Sequence, residues 1–390
     1  MKPKPTMIVD DETYFDQLDQ TDFIHMPYDQ QLIIKHEHVK KIFEDKGIFE
    51  VVNPVIQAET PRHYRHKVTV TATNLKVHGK PQIKFGFYME KTHKIKPVFE
   101  SLLHDEAIEK TLKDIEDILQ KNHFSGYVKG QSRGIIKHVL IRKSFATKDM
   151  LLVFVTHGHV FPNAKQIIHA IREKNPHVKS VVQIIQRIDT PIVLYGEDHL
   201  LFGPGYIEDH IGEFRFRLSA KSFYQINPKQ MLRLYETAFE FSNIHQNERV
   251  MDCYSGIGTL SLLAAMKAKE VIAIEVNQSA VKDAIENAKR NHVTHVSFIK
   301  DDVEKFIASY EKDVDVLLLD PPRSGVSMAF VSSVKRLKPK RIVYISCFPE
   351  TQARDVSQWC DSYSITYIQP VDMFPYTSHV ECIVLLQLKL

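Results

Sequence analysis

Residues 248–276 read ERVMDCYSGIGTLSLLAAMKAKEVIAIEV, and their order decides the architecture of the C-terminal half. A short apolar run ends in Asp252, a glycine-bearing turn and a helical stretch follow, and a second apolar run ends in Glu275. That succession is a strand–helix–strand unit of a parallel sheet. In such sheets ligands collect beyond the carboxyl ends of the strands, which is where Asp252, Gly256, Gly258 and Glu275 stand. The two glycines let the backbone approach a ligand closely. A dinucleotide fingerprint needs a third glycine where Ser261 sits. Glu275 follows Asp252 at about the 20-residue interval that brings an acid to ribose hydroxyls. The pattern describes a nucleoside half-site that suits S-adenosylmethionine better than a nicotinamide dinucleotide, with a plain tight turn as the alternative.

The same rhythm continues downstream. HVSFI, VDVLLLD, KRIVYIS, ITYIQPV and ECIVLLQLK complete seven strands, with Asn277 as the expected N-cap of one helix and Pro349 in the first turn of another. After the third strand, Asp301 or Asp302 either faces an adenine amino group or caps the helix VEKFIASYEK. Upstream, strands such as HKVTVTAT, IKFGFY, HVLIRKS and LLVFVTH mix with amphipathic helices, among them EAIEKTLKDIEDILQK and NAKQIIHAIREKN. The expected division is a lead-in over 1–24, an α+β domain over 25–215 that takes in a helix within 30–49, and the parallel-sheet domain over 216–390. The linker is expected within GEFRFRLSAKSFYQINP.

Strand four ends in DPPR, whose prolines stiffen the turn after Asp320 and fix its orientation, while Arg323 suits a phosphate or carboxylate. Strand five ends at Cys347, just before a helix N-terminus, a position that favours a thiolate. Most cysteines that end buried strands are inert, so a partner matters. Glu381, close to His379, opens the otherwise apolar last strand, where a carboxyl is costly unless paired or catalytic. A thiol and a base together fit a pyrimidine: sulfur adds to carbon 6, carbon 5 becomes nucleophilic, and a base then removes the carbon 5 proton. Asp320 would hold the uracil edge.

No metal is needed for this chemistry. The four cysteines, Cys253, Cys347, Cys360 and Cys382, lack metal-type spacing and do not form a disulfide framework. No apolar run approaches the roughly 20 residues of a membrane span, and the first residues lack a signal-peptide centre. A cytoplasmic monomer is expected. The net charge of +3 is too small to announce nucleic acid, but residues 61–96 hold many Lys, Arg and His with interleaved aromatics and the single acid Glu90. That mixture suits phosphate contact and base stacking, or a solvated sheet face.

With these residues in view the chain resembles the RNA uridine-5 methyltransferases, the group that includes the tRNA T-loop enzyme and those acting on 23S ribosomal RNA. SFYQINP, DCYSGIGTLSL, LDPPRSG, YISCFPET, ARD and DMFPYTSHVE carry the resemblance, which runs from about Tyr28 to Leu388. It implies a class I, Rossmann-like methyltransferase domain with a seven-stranded, mostly parallel sheet, preceded by an α+β RNA-binding domain. Gln225, Tyr254, Glu275 and Asp320 look like S-adenosylmethionine contacts, Cys347 like the nucleophile and Glu381 like the proton acceptor. YRHK, which contains Tyr64, Arg65 and Lys67, is similar to the family's RNA-facing region, as are GFYMEKTHKI and RGIIKHVLIRKS. Their spacing favours 23S ribosomal RNA as substrate. A tRNA enzyme, an RNA cytosine-5 methyltransferase and a non-catalytic RNA-binding factor are the alternatives. The sequence departs from the family at Phe348, where an asparagine is common. A member without the N-terminal barrel and without the iron–sulfur cysteines of many ribosomal members is expected.

Overall fold

In the computed structural model the described residues are 22–77, 80–88, 94–97, 100–130 and 134–389. The chain divides into two compact units, one formed by Arg62–Asp209, the other by the described residues up to Pro61 together with His210–Leu390. The expected lead-in lies almost wholly outside the described residues.

The expected division needs correcting at both ends. Helix α1 (Tyr28–Glu44) falls in the second unit, because Val39 and Phe43 sit in one apolar cluster with Tyr344, Trp359 and Ile368 of that unit. The stretch expected as a linker contains a strand. It belongs to a two-stranded ribbon of Tyr206–Ile211 and Phe214–Ser219, at which the chain passes from one unit to the next.

The first unit is a seven-stranded sheet in the order β3-β2-β1-β4-β5-β6-β7: β1 (Lys67–Val77), β2 (Lys80–Tyr88), β3 (Ile95–Pro97), β4 (Ile136–Lys143), β5 (Met150–Thr156), β6 (Val178–Ile185) and β7 (Glu197–Phe202). Only β5 and β6 pair in parallel, joined by the crossover helix α3 (Ala164–Lys174), which follows α2 (Glu106–Lys121) in the chain. Alternation along β1 sends Val68, Val70 and Ala72 to the face covered by Ile108, Ile115 and Leu119 of α2 and Ile167 and Ile171 of α3. Asp105 caps α2, accepting from the amides of Ala107 at 3.0 Å and Ile108 at 3.4 Å.

In the second unit the ribbon strands are β8 and β9, and α4 (Pro228–Ser242) follows with Pro228 in its first turn. Then β10 (Arg249–Cys253), α5 (Thr259–Ala265), β11 (Glu270–Glu275), α6 (Gln278–Arg290), β12 (Val296–Lys300), α7 (Val303–Ser309), β13 (Val316–Leu319), α8 (Met328–Leu337), β14 (Arg341–Ser346), α9 (Pro349–Ser357), β15 (Tyr363–Val371) and β16 (Glu381–Leu388) alternate. Their sheet order is β12-β11-β10-β13-β14-β16-β15, and only β16 runs antiparallel to its neighbours. All seven strands expected from the apolar runs are present, and Asn277 caps α6 as expected. The chain reverses direction across the sheet between β10 and β13, the place where open sheets bind ligands.

Candidate active site

The loop after β10 carries the glycines. Burial separates their roles: around Gly256 nothing stands within 4 Å of where a Cβ would sit, whereas a Cβ on Gly258 would come within 2.8 Å of the Phe298 ring. Gly256 therefore faces open space, and Gly258 serves packing. Tyr254 holds a left-handed backbone with φ 66°, a costly conformation for a residue with a side chain and one that clusters at functional sites. A cleft of about 350 Å³, counting its open mouth, lies here, lined by Phe223, Tyr224, Tyr254, Gly256, Thr259 and Asp320 among others.

Three carboxylates surround this loop. Asp252 is fully buried and accepts from the Ser261 hydroxyl at 2.5 Å. Burial, reinforced by neighbouring Asp320 and Glu275 and opposed by Ser261, pushes its carboxyl up to about 7. Glu275 accepts from the amides of Gly256 at 3.0 Å and Asn277 at 2.6 Å. Burial raises its carboxyl, against those two amide bonds. Asp320 keeps some open surface, but inside a recess, and burial pushes its carboxyl up to about 7. Two buried polar atoms near the loop have no hydrogen-bond partner, Oδ1 of Asp252 and Oγ of Ser255. Of the remaining residues expected around a cofactor, Gln225 is buried just before α4. Asp302 takes the capping alternative, accepting from the Lys305 amide at 3.1 Å as N-cap of α7.

Pairing of β14 with β16 decides the reactive centre. Ser346, the last residue of β14, stands opposite Cys382 in antiparallel register, so Cys347 follows and Glu381 precedes that pair at one end of the sheet. The two residues are far apart along the chain and come to the same sheet edge as Asp320, which follows Leu319, the partner of Tyr344. Glu381 is 2% exposed and Cys347 half-buried.

Several residues that the sequence did not single out hold this edge. Gln352 donates from Nε2 to the carbonyls of Tyr344 at 2.8 Å and Cys382 at 2.9 Å, clamping the strands that carry nucleophile and carboxylate. The Ser346 hydroxyl accepts from the Phe348 amide at 3.1 Å and donates to the Phe348 carbonyl at 3.2 Å, bracketing Cys347. Phe348 supplies no side-chain cap to α9, and its ring lies 5.9 Å from the Arg323 guanidinium instead. A helix-capping residue's absence thus leaves Ser346 and Thr351 to secure the turn, Thr351 donating to the carbonyls of Phe348 and Arg323.

Asp355 secures the other side. Its carboxylate accepts from the Val326 amide at 2.9 Å and the Tyr344 hydroxyl at 2.8 Å, and it pairs with Arg354, whose guanidinium also donates to the Ser324 carbonyl at 2.9 Å. The loop after Asp320 is therefore stapled to α9. Gly325, with φ 71°, sits under this staple: a Cβ there would fall 2.3 Å from Asp355 Oδ2. Gly325→Ala is expected to cost about 2 kcal/mol or more, from backbone strain and the displaced staple. A urea-unfolding midpoint equal to that of the unaltered protein would remove Asp355 from this role.

The residues expected to touch RNA in the first unit are not on open surface. Tyr64 is 3% exposed, Arg65 6% and Lys67 7%. GFYMEKTHKI lies partly outside the described residues. Among the described residues, His159, Glu197 and His199 converge as metal-type side chains. They are exposed, and the Arg187 guanidinium, bonded to His159 and 3.8 Å from Glu197, already brings a cation to them. No described helix is long and apolar enough to cross a membrane.

A family profile described as tRNA (uracil-5-)-methyltransferase matches residues 27–389. An uncharacterized RNA methyltransferase of Oceanobacillus iheyensis is 38% identical over 373 residues, covering 94% of this chain and 80% of that protein. Another, of Halalkalibacterium halodurans, is 36% identical over 381 residues, covering 96% and 82%. The crystal structure of the Pyrococcus abyssi tRNA (uracil-54, C5)-methyltransferase in complex with S-adenosyl-L-homocysteine superposes with a TM-score of 0.78 at 25% identity, covering 93% of this chain and 84% of that one.

Proposed function

The chain belongs to the tRNA (uracil-5-)-methyltransferase family, and we propose that it methylates carbon 5 of a uridine in 23S ribosomal RNA, using S-adenosylmethionine. The observation that carries this reading is the register of Ser346 opposite Cys382, which supports Cys347 and Glu381 sharing one sheet edge with Asp320.

S-adenosylmethionine, when bound, supplies an electrophilic methyl group on a charged sulfonium. The residues at the β10–β13 reversal would hold its nucleoside and amino-acid parts. Gly256 leaves room for it, the orphaned atoms of Asp252 and Ser255 await polar partners, and Glu275 and Asp320 bring negative charge. Gln225 and Tyr254 would complete the holding set.

Cys347, as thiolate, adds to carbon 6 of the uracil, and the ring electrons move onto carbon 4 oxygen as an enolate. Carbon 5 then carries the nucleophilic pair that takes the methyl group. Glu381 accepts the carbon 5 proton; the electrons of that C–H bond re-form the 5,6 double bond, and the C–S bond breaks to return the thiolate. Asp320 accepts from uracil N3–H when ionised, and Arg323 offers a cation for the adjoining phosphate. Tyr64, Arg65 and Lys67 would contribute to RNA binding only after they become accessible.

The spacing of the central motifs supports the ribosomal substrate. A transfer RNA substrate is the second reading, because the superposing Pyrococcus abyssi enzyme acts on tRNA. Incubation with unmodified 23S and transfer RNA transcripts, followed by nucleoside mass spectrometry and site mapping, separates the two. The expected result is 5-methyluridine in the 23S transcript. Methylation confined to tRNA would move the assignment to the second reading, and 5-methylcytidine would overturn the uracil assignment itself.

A further inference from the structure

Nine residues, Asp372 to Val380, connect β15 to β16 and lead directly into Glu381, which is itself paired with Val371. The loop is largely buried: Asp372, Met373 and Thr377 have no exposed surface, and only Ser378 is exposed. Buried backbone groups need partners that water would otherwise provide. Here helix α1 provides them. Lys35 donates from Nζ to Asp372 Oδ1 at 2.6 Å and to the Phe374 carbonyl at 3.0 Å. The Tyr28 hydroxyl donates to Asp372 Oδ2 at 2.7 Å and accepts from the Ala58 amide at 2.8 Å. Gln31 accepts from the Tyr376 amide at 2.9 Å, where the chain turns with φ 64°. The start of α4 holds the other flank, Asn227 donating to the Met373 carbonyl and Gln230 to that of Asp372.

Tyr28, Gln31 and Lys35 lie on one stripe of α1, three and four residues apart, which continues as Val39 and Phe43 into the apolar cluster. The helix is thus anchored by its second half and grips the loop with its first. A buried Lys–Asp pair is a poor stabiliser compared with apolar packing of the same volume, because both charges give up their water. Burial accordingly pulls the Lys35 ammonium below its usual value, against the attraction of Asp372. What such a pair does supply is directional restraint on one loop, and this loop leads straight into the carboxylate of the site.

We propose that Tyr28, Gln31 and Lys35 of α1 are positioning residues for Glu381, acting through Asp372 and the loop backbone to aim its carboxylate at the carbon 5 proton. The inference rests on Glu381 being the proton acceptor. Its consequence is selective: Tyr28, Gln31 and Lys35 bond the loop that leads into Glu381, whereas Ser346 and Gln352 secure the backbone on either side of Cys347, and α1 meets α9 through its second half, where His38 lies 3.4 Å from Glu350. The three side chains therefore control resolution of the covalent complex more than its formation.

The test uses the full chain with Lys35→Met and Asp372→Asn combined, so that neither charge is stranded, and separately Gln31→Ala, which removes the acceptor of the Tyr376 amide together with the amide donor to the Met26 carbonyl. Thermal unfolding checks the fold. Ribosomal and transfer RNA transcripts tritiated at uridine carbon 5 then report two rates, covalent-complex formation on denaturing gels and tritium release. Formation is expected near the unaltered rate with KM for RNA unchanged, while tritium release and kcat fall about 10- to 100-fold, the effect of a misplacement near 1 Å. Folded variants that release tritium normally, or that lose both steps in equal proportion, overturn the proposal. If the double variant does not fold, Gln31→Ala decides by the same criteria. Glu381→Gln runs in parallel: normal release by that variant condemns the proton-acceptor reading, whereas a stall in Glu381→Gln with normal release in the α1 variants condemns only the positioning role.

Discussion

Cys347→Ala is expected to form no covalent complex with RNA containing 5-fluorouridine and to lose methyl transfer by on the order of 10³-fold or more. Fluorine at carbon 5 cannot leave as a proton, so the unaltered enzyme should stall with sulfur still bound to carbon 6 and appear as a retarded band on a denaturing gel. The prediction is specific to one thiol. Cys253 and Cys382 are fully buried, and burial raises their thiols, as it does that of Cys360. Only Cys347 combines partial exposure with a place just before a helix N-terminus. Cys360→Ala, at the far side of α9, should still give the band. A retarded band from Cys347→Ala, in protein whose unfolding midpoint is unchanged, would transfer the nucleophile's role elsewhere.

How far the site was legible follows from the kind of signal each part leaves. The second sheet was readable strand by strand because parallel strands buried on both faces are continuous apolar runs, and the residues after them are the ones that matter. The pairing of Cys347 with Glu381 was expected from residue chemistry and the resemblance, but the geometry behind it was not readable. It depends on β16 inserting antiparallel beside β14 with Ser346 opposite Cys382, and a shift of one residue would turn one side chain to the other face. The helix over 30–49 was legible from its apolar spacing, but the unit it belongs to was not, because its buried stripe also includes the polar Gln31 and Lys35. Their spacing with Val39 and Phe43 was the available signal. Lys67, Thr69 and Thr71 likewise alternate with Val68 and Val70 in a pattern that reads as one wet and one dry face, yet all five are buried. Charge along a strand reports which face is polar, not whether that face is open. Asp302 shows the reverse difficulty, since an acid just before a helix satisfies the helix first.

Glu381→Gln is expected to behave in the opposite sense from Cys347→Ala: it should make the covalent complex, methylate the ring and then fail to let go, with release slowed about 10²- to 10⁴-fold. Glutamine matches glutamate in size and retains hydrogen-bonding capacity in a position that is 2% exposed, so packing at the start of β16 changes little. What it lacks is the ability to take a proton. The carbon 5 hydrogen then has no acceptor, the 5,6 double bond cannot re-form, and the carbon–sulfur bond has no electrons to drive its cleavage. A protein–RNA band carrying label from the methyl donor should accumulate, which a structural defect in binding would not produce. Combining Glu381→Gln with Cys347→Ala should add nothing to the loss from Cys347→Ala alone, because the release step exists only after sulfur has added. Rapid turnover by Glu381→Gln would pass the proton to another group at this edge. His379, two residues before Glu381 and edge-on to Phe374 at 6.3 Å, is then the group whose substitution should reproduce the stall.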